Sequence, residues 1–149
     1  MDELDIRIIK ELEFNVRQSS RQLGKKLGIN HNTIRRRINN LLKNNDLQIV
    51  AVPNWVSLGY HIWVVIMLNV KQSFSRKIAD TLVNYPECYS VSETMGRFDI
   101  HIGAHFKSIE DLTDFVNNKL YEFEGIERVE TALLTRPHKY FHMVHTYNQ

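Results

Sequence analysis

Apolar residues recur at helical spacing three times in the first fifty positions. Leu4, Ile8, Ile9 and Leu12 line one face behind Asp2, which has the chemistry of an N-cap. Leu23 and Leu27 form a second, shorter face between Ser19 or Ser20 as cap and Gly28 as stop. Asn30 caps a third helix, in which Ile34, Ile38, Leu41 and Leu42 point the same way. Two helices joined by a few residues containing Gly outline a helix-turn-helix. Past Asn44-Asn45-Asp46 the period changes: Leu47, Ile49 and Ala51 alternate with Gln48 until Pro53, predicting a wing strand.

Residues 53–60 predict a hinge, and from His61 the pattern is that of a second domain. Ile62 to Leu68 is a continuous apolar strand. A helix over about 73–84 turns Ile78, Ala79, Leu82 and Val83 inward and ends before Pro86. Cys88 to Met95 and Phe98 to Phe106 form a hairpin about a tight turn at Gly96-Arg97. In the latter strand Phe98, Ile100, Ile102, Ala104 and Phe106 share one face, and Asp99, His101, Gly103 and His105 the other. A helix over 108–123, capped by Ser108 and stopped by Gly125, faces inward with Ile109, Leu112, Phe115, Val116 and Leu120. Val129 to Leu134 is the next strand, and Tyr140 to Val144 a fifth. The fold class is therefore α+β: a winged helix-turn-helix over 1–52, the hinge, and a ferredoxin-like βαββαβ domain over 61–149. Helices cover one face of that sheet, so the bare face predicts pairing between two chains.

Charge sharpens this picture. The net +2 is uneven: residues 1–50 hold ten Lys/Arg against six Asp/Glu, and the remainder nine against eleven. Between Phe14 and Asn45 there are eight bases and no acid, the local field that a polyanion selects. Around the third helix Arg36 lies opposite the apolar face, flanked by Asn32, Thr33, Asn39, Asn40 and Lys43. Arg reads guanine, Asn reads adenine, and Thr meets backbone or a thymine methyl, so these are candidate contacts to double-stranded DNA. Arg21, Asn30, Arg35 and Arg37 complete the candidate set; Arg35 and Arg37 fall at the edge of the core face, to hold phosphates or, for Arg37, to pair with an acid of the first helix.

Other chemistry finds less. The acidic N-terminus and the lack of a long apolar run predict a cytoplasmic protein with no membrane partner. The single Cys88 excludes an internal disulfide. His101 and His105 are separated by about 13 Å along a strand, too far to share a metal ion, and His138, His142 and His145 would need a helix to converge. No metal or cofactor is expected. No P-loop, nucleophile elbow or paired-carboxylate motif is present.

Asp2-x-x-Asp5-x-x-Ile8-Ile9-x-x-Leu12, Arg17, Leu23-x-x-x-Leu27-Gly28-Ile29-Asn30-x-x-Thr33-Ile34-x-x-Arg37-Ile38-x-x-Leu41, Leu58-Gly59-Tyr60 and Thr94-Met95-Gly96-Arg97-Phe98-Asp99 together resemble the Lrp/AsnC, or feast/famine, transcription regulators. The likeness spans nearly the whole chain. It implies a sequence-specific regulator that binds a pseudo-palindromic operator, with a C-terminal "RAM" domain that pairs through its sheet into homodimers and then tetramers or octamers. It also implies a small effector, commonly an amino acid, held by Thr94, Met95, Gly96, Arg97, Phe98 and Asp99. A Gly suits close backbone approach, Asp99 suits an ammonium and Arg97 a carboxylate; a plain hairpin capped by Asp99 is the other reading of these residues. Two departures stand out. Asn30 replaces a frequent Ser, keeping the cap, and Arg97 replaces a frequent acid, reversing charge beside the loop. Siroheme decarboxylases resemble the same two domains and give the alternative, an enzyme in which His101, His105 and Arg97 hold a tetrapyrrole.

Overall fold

The computed structural model describes residues 1–136, in two compact units that divide between Ala51 and Val52. The expected fifth strand and the histidines at 138, 142 and 145 lie outside the described residues.

The first unit is three helices: α1 (Glu3–Phe14), α2 (Ser20–Leu27) and α3 (His31–Lys43). Each starts where a side chain satisfies orphan N–H groups. Asp2 and Asp5 cap each other's backbone reciprocally, Ser19 and Gln22 do the same for α2, and Asn30 accepts from Asn32 N–H at 2.9 Å. Gly28 ends α2 in the left-handed region at φ 71°. Ile8, Leu12, Leu23, Ile34 and Leu41 are the buried centre, edged by Leu4, Ile9, Leu27, Ile29, Ile38 and Leu47. Burial of each central side chain contributes about 1.5–3 kcal/mol. So few of them leave a unit this small marginal, and caps worth about 1 kcal/mol each are a substantial share of its stability.

Two expectations need correction here. Leu42 is 36% exposed: the last turn of α3 puts Leu41, not Leu42, into the buried cluster. The wing does not form: among the described residues the only sheet is in the second unit, and residues 47–54 pair with no strand. A single segment lacks the partner that would satisfy its backbone. Leu47 packs against the helical core.

The second unit runs β1 (Ile62–Val70), α4 (Ser75–Leu82), β2 (Cys88–Glu93), β3 (Ile100–Phe106), α5 (Ile109–Asp114) and β4 (Ile126–Leu133). A π-helical stretch, Phe115–Leu120, continues α5. The strands form one antiparallel sheet in the order β2-β3-β1-β4, the βαββαβ arrangement expected. One face carries Val64, Ile66 and Leu68 of β1 beside Ile100, Ile102, Ala104 and Phe106 of β3. Ile78 and Leu82 from α4, with Phe115 and Leu120, close over it. Val83 (61% exposed) and Ile109 (54%) were expected inward. Val83 follows the last residue of the shorter α4 and Ile109 is the first of α5, so neither has a full turn pressing it onto the sheet.

The hinge is not slack. Val56–Leu58 forms a 3-10 turn closed by Gly59 at φ 90°, and the segment packs within the second unit. On the face away from the helices, β1 offers Trp63, Val65 and Met67, and β3 offers His101, Gly103 and His105. Val65 and Met67 are half-buried there.

Candidate nucleic-acid interface and second-domain loop

On α3 the side chains of Asn32, Arg35, Arg36, Asn39, Asn40 and Lys43 are exposed and Thr33 is half-buried. Arg36 has no hydrogen bond or ion pair among the described residues, and it projects opposite Ile34 and Leu41, the fully packed side of the helix. Arg21 stands exposed in the first turn of α2. It lines an open depression of about 300 Å³ with Lys25, Asn30 and His31 at the mouth of the turn. Lys25 and His31 were not singled out from sequence, although both lie in the acid-free stretch. Asn30 has its side chain committed to the cap.

Arg37 differs from its neighbours. Its guanidinium pairs with Asp2 and lies 3.2 Å from Asp5 Oδ1, bridging α3 to the start of α1. Asp5 is only 6% exposed. The Asp5 N–H, and then the Arg37 guanidinium, hold the Asp2 carboxyl below the usual carboxylate range, while Asp2 raises Arg37 further. Of the two roles foreseen for Arg37, pairing with the first helix is the one realised.

Gly24, in the middle of α2, escaped the sequence reading. A Cβ there would come within 2.6 Å of Ile29 O and 3.3 Å of His31 Cα. The carbonyl of Gly24 accepts from both Gly28 N–H and Ile29 N–H, the latter at 2.9 Å. A glycine inside a helix is the only signal that could have marked this close approach.

In the second unit Thr94–Asp99 joins β2 to β3 as a wider loop than the two-residue turn expected. Its ends are clamped: Thr94 N–H donates to Asp99 O at 2.8 Å, and Thr94 Oγ1 to Phe98 O at 2.7 Å. Asp99 Oδ2 accepts from Val70 N–H at 2.9 Å, fastening the loop to β1. Phe98 is buried, whereas Met95, Gly96 and Arg97 are exposed. Arg97 reaches Glu130 at 3.4 Å, a carboxylate it shares with Arg128. Asn69 donates to Arg97 O at 2.7 Å. Neither Asn69 nor Glu130 was foreseen, yet Asn69 is the one polar residue in β1.

A basic helix-turn-helix followed by a one-sided βαββαβ sheet defines a DNA-binding regulator with a separate second module. The AsnC-type helix-turn-helix domain matches residues 1–42, and the Lrp/AsnC ligand binding domain matches residues 64–144. An uncharacterised HTH-type transcriptional regulator of Pyrococcus furiosus is 33% identical over 94% of this chain and 95% of its own. The AsnC structure of E. coli superposes with a TM-score of 0.86 at 22% identity, covering 94% of this chain and 95% of that one. A transcriptional regulator of Neisseria meningitidis in complex with L-Met superposes at 0.87 and 20%, covering 94% and 93%. The chain belongs to the Lrp/AsnC family and is a sequence-specific DNA-binding transcriptional regulator of that type. No helix among the described residues is long and apolar enough to cross a membrane.

Proposed function

We propose that two chains pair through the uncovered sheet face and set two α3 helices into successive major grooves of a pseudo-palindromic site. Arg36, with Asn32, Asn39 and Asn40, reads base edges, and Thr33 meets backbone or a thymine methyl. Arg21, Arg35 and Lys43 hold phosphates and set register. Arg37 and Asn30 support the helix from behind. The observation that carries this reading is the outward face of α3, where Arg36 stands unpartnered among the described residues opposite the packed Ile34 and Leu41. Selection of bound fragments from random DNA in the cytoplasmic range of salt should enrich a two-fold sequence with half-sites about one helical turn apart; no enrichment at any salt overturns the reading.

The loop Thr94–Asp99 is the effector site in this proposal, and an amino acid its ligand class. Exposed Arg97 supplies a contact for a carboxylate, Asp99 and Glu130 supply acceptors for an ammonium, and Gly96 leaves the backbone open. An amino acid is what the Neisseria relative holds. Calorimetry against the twenty amino acids should give heat with a small subset, and Arg97→Ala should remove it. No heat with any of them removes the effector and leaves the DNA reading standing.

A further inference from the structure

His105 is 1% exposed, on the sheet face that the helices do not cover, and no group among the described residues hydrogen-bonds either ring nitrogen. Four aromatic rings enclose it: Trp55 at 4.3 Å between centroids, Tyr60 at 4.5 Å, Trp63 at 5.4 Å and Tyr89 at 5.7 Å. Trp63 and Tyr89 come from the sheet itself. A register shift between Cys88 and Ser90 aims Tyr89 across β3, over Gly103, where a Cβ would lie 2.5 Å from the Tyr89 ring. Trp55 and Tyr60 come from the chain that enters from the first unit. That segment turns back on itself through the left-handed Gly59, Tyr60 N–H donates to Trp55 O, and Trp63 Nε1 fastens it by donating to Tyr60 O at 3.1 Å.

We propose that Trp55–Tyr60 is a proton-released strap: docked on neutral His105 it shortens the free chain between the two units, and protonation of His105 lifts it. With the strap docked, the linking chain, without partners among the described residues beyond the strap itself, runs from Leu47, held in the helical core, only to the strap at Trp55. With the strap lifted it runs to β1, adding on the order of 20 Å of reach at about 3.3–3.6 Å per residue.

An imidazolium must donate two N–H bonds, and in the docked arrangement no acceptor among the described residues, the hydroxyls of Tyr60 and Tyr89 included, is placed to receive either. The rings attract a cation over their faces, but when the strap opens Trp63 and Tyr89 keep their share of that attraction, and hydration of both nitrogens replaces the share of Trp55 and Tyr60. The charged and titratable groups facing the cluster are few. Just before β2, the backbone carbonyl of Glu87 accepts from the backbone N–H of His105, and the Glu87 carboxylate favours the charged imidazole. That carboxylate is engaged at 2.8 Å by Lys119, and the ammonium of Lys107 lies over Tyr60. Tyr60 and Tyr89 are the remaining titratable neighbours. Burial prevails over Glu87 and pushes His105 below its ordinary value of 6.5. Because the open form binds the proton more readily, docking is complete above about pH 6.5 and is lost as pH falls below it. Operator affinity should fall with it, since a longer link dilutes one recognition helix about its partner. That last step rests on the proposed DNA reading; the strap itself does not.

The test follows the full chain by NMR across pH 4.5–8, with chymotrypsin susceptibility at Trp55 and Tyr60. His105 should titrate below 6.5, and the Trp55 indole shift and the nicking should move with the same midpoint. In Trp55→Ala, His105 should return toward its ordinary value. In His105→Phe the strap should stay docked throughout. A His105 that titrates at or above 6.5 in the wild-type chain, or that protonates while Trp55 stays docked, overturns the proposal even if neither variant folds. Operator binding followed in parallel separates the two ideas: a strap that opens without change in DNA affinity keeps the switch and removes its consequence.

Discussion

Substituting Arg36 and Arg37 in turn tests the proposed division between reading DNA and holding the helix proposed to read it. Arg36→Ala removes a guanidinium with no partner among the described residues, so the thermal midpoint should stay put while the cognate operator loses about 1–3 kcal/mol, with selectivity relaxed at one base position. An unchanged operator affinity would count against the assignment. Arg35→Ala or Lys43→Ala should instead weaken binding to all sequences alike and lower the salt slope by about one. Arg37→Ala should lower the melting temperature by several degrees, because Asp5 is buried and loses its cation. The same bridge sets an acid limit. Asp2 is held below its ordinary value by Asp5 N–H and by Arg37, so the stability it supplies is present above about pH 4 and drains away as pH falls through its lowered value. Melting followed from pH 6 to pH 2 should show this fall, and Asp2→Asn should flatten it.

At the scale of elements, Gly24 sets propensity against packing. An alanine inside α2 is favoured over glycine by up to about 1 kcal/mol. Here its Cβ would meet the backbone carbonyl of Ile29 at 2.6 Å, and overpacking of that kind costs typically 1–3 kcal/mol. Gly24→Ala should therefore destabilise the first unit and spread the angle between α2 and α3; a raised midpoint would show that the turn can yield. Caps, stops and apolar period made all three helices legible in sequence. Gly24 was not legible, because a helical wheel records direction and not the distance to the next backbone. The same blindness placed Leu42, Val83 and Ile109 inward: each keeps the right period, but each lies within a residue of a helix end and is exposed there. The wing failed for a related reason. Alternation in Leu47, Ile49 and Ala51 predicts a strand only if a second strand exists to pair with it.

For the whole molecule, the decisive surface is the sheet face opposite α4 and α5. Alternation along β1 and β3 was enough to identify it, but not to see that its two ends differ. At one end the aromatic strap buries His105, a cover that comes from residues whose sequence reads as a connector. Further along β1, Val65 is half-buried, flanked across the strands by Gly103 and Ala132, with no large side chain over it from either neighbour. If pairing of two chains uses this face, Val65→Glu places a short carboxylate, unable to reach past a partner, in the middle of the contact. In a single chain the same carboxylate remains hydrated, so the fold should survive. Sedimentation should then give the mass of one chain, 17.6 kDa, where the wild type gives at least twice that. Because two recognition helices on one assembly bind as a linked pair, operator affinity should fall by a factor on the order of 100 or more, while each helix keeps its base preference. A variant that stays paired would move the interface elsewhere, and a wild-type chain that sediments alone would leave each α3 to find its half-site independently.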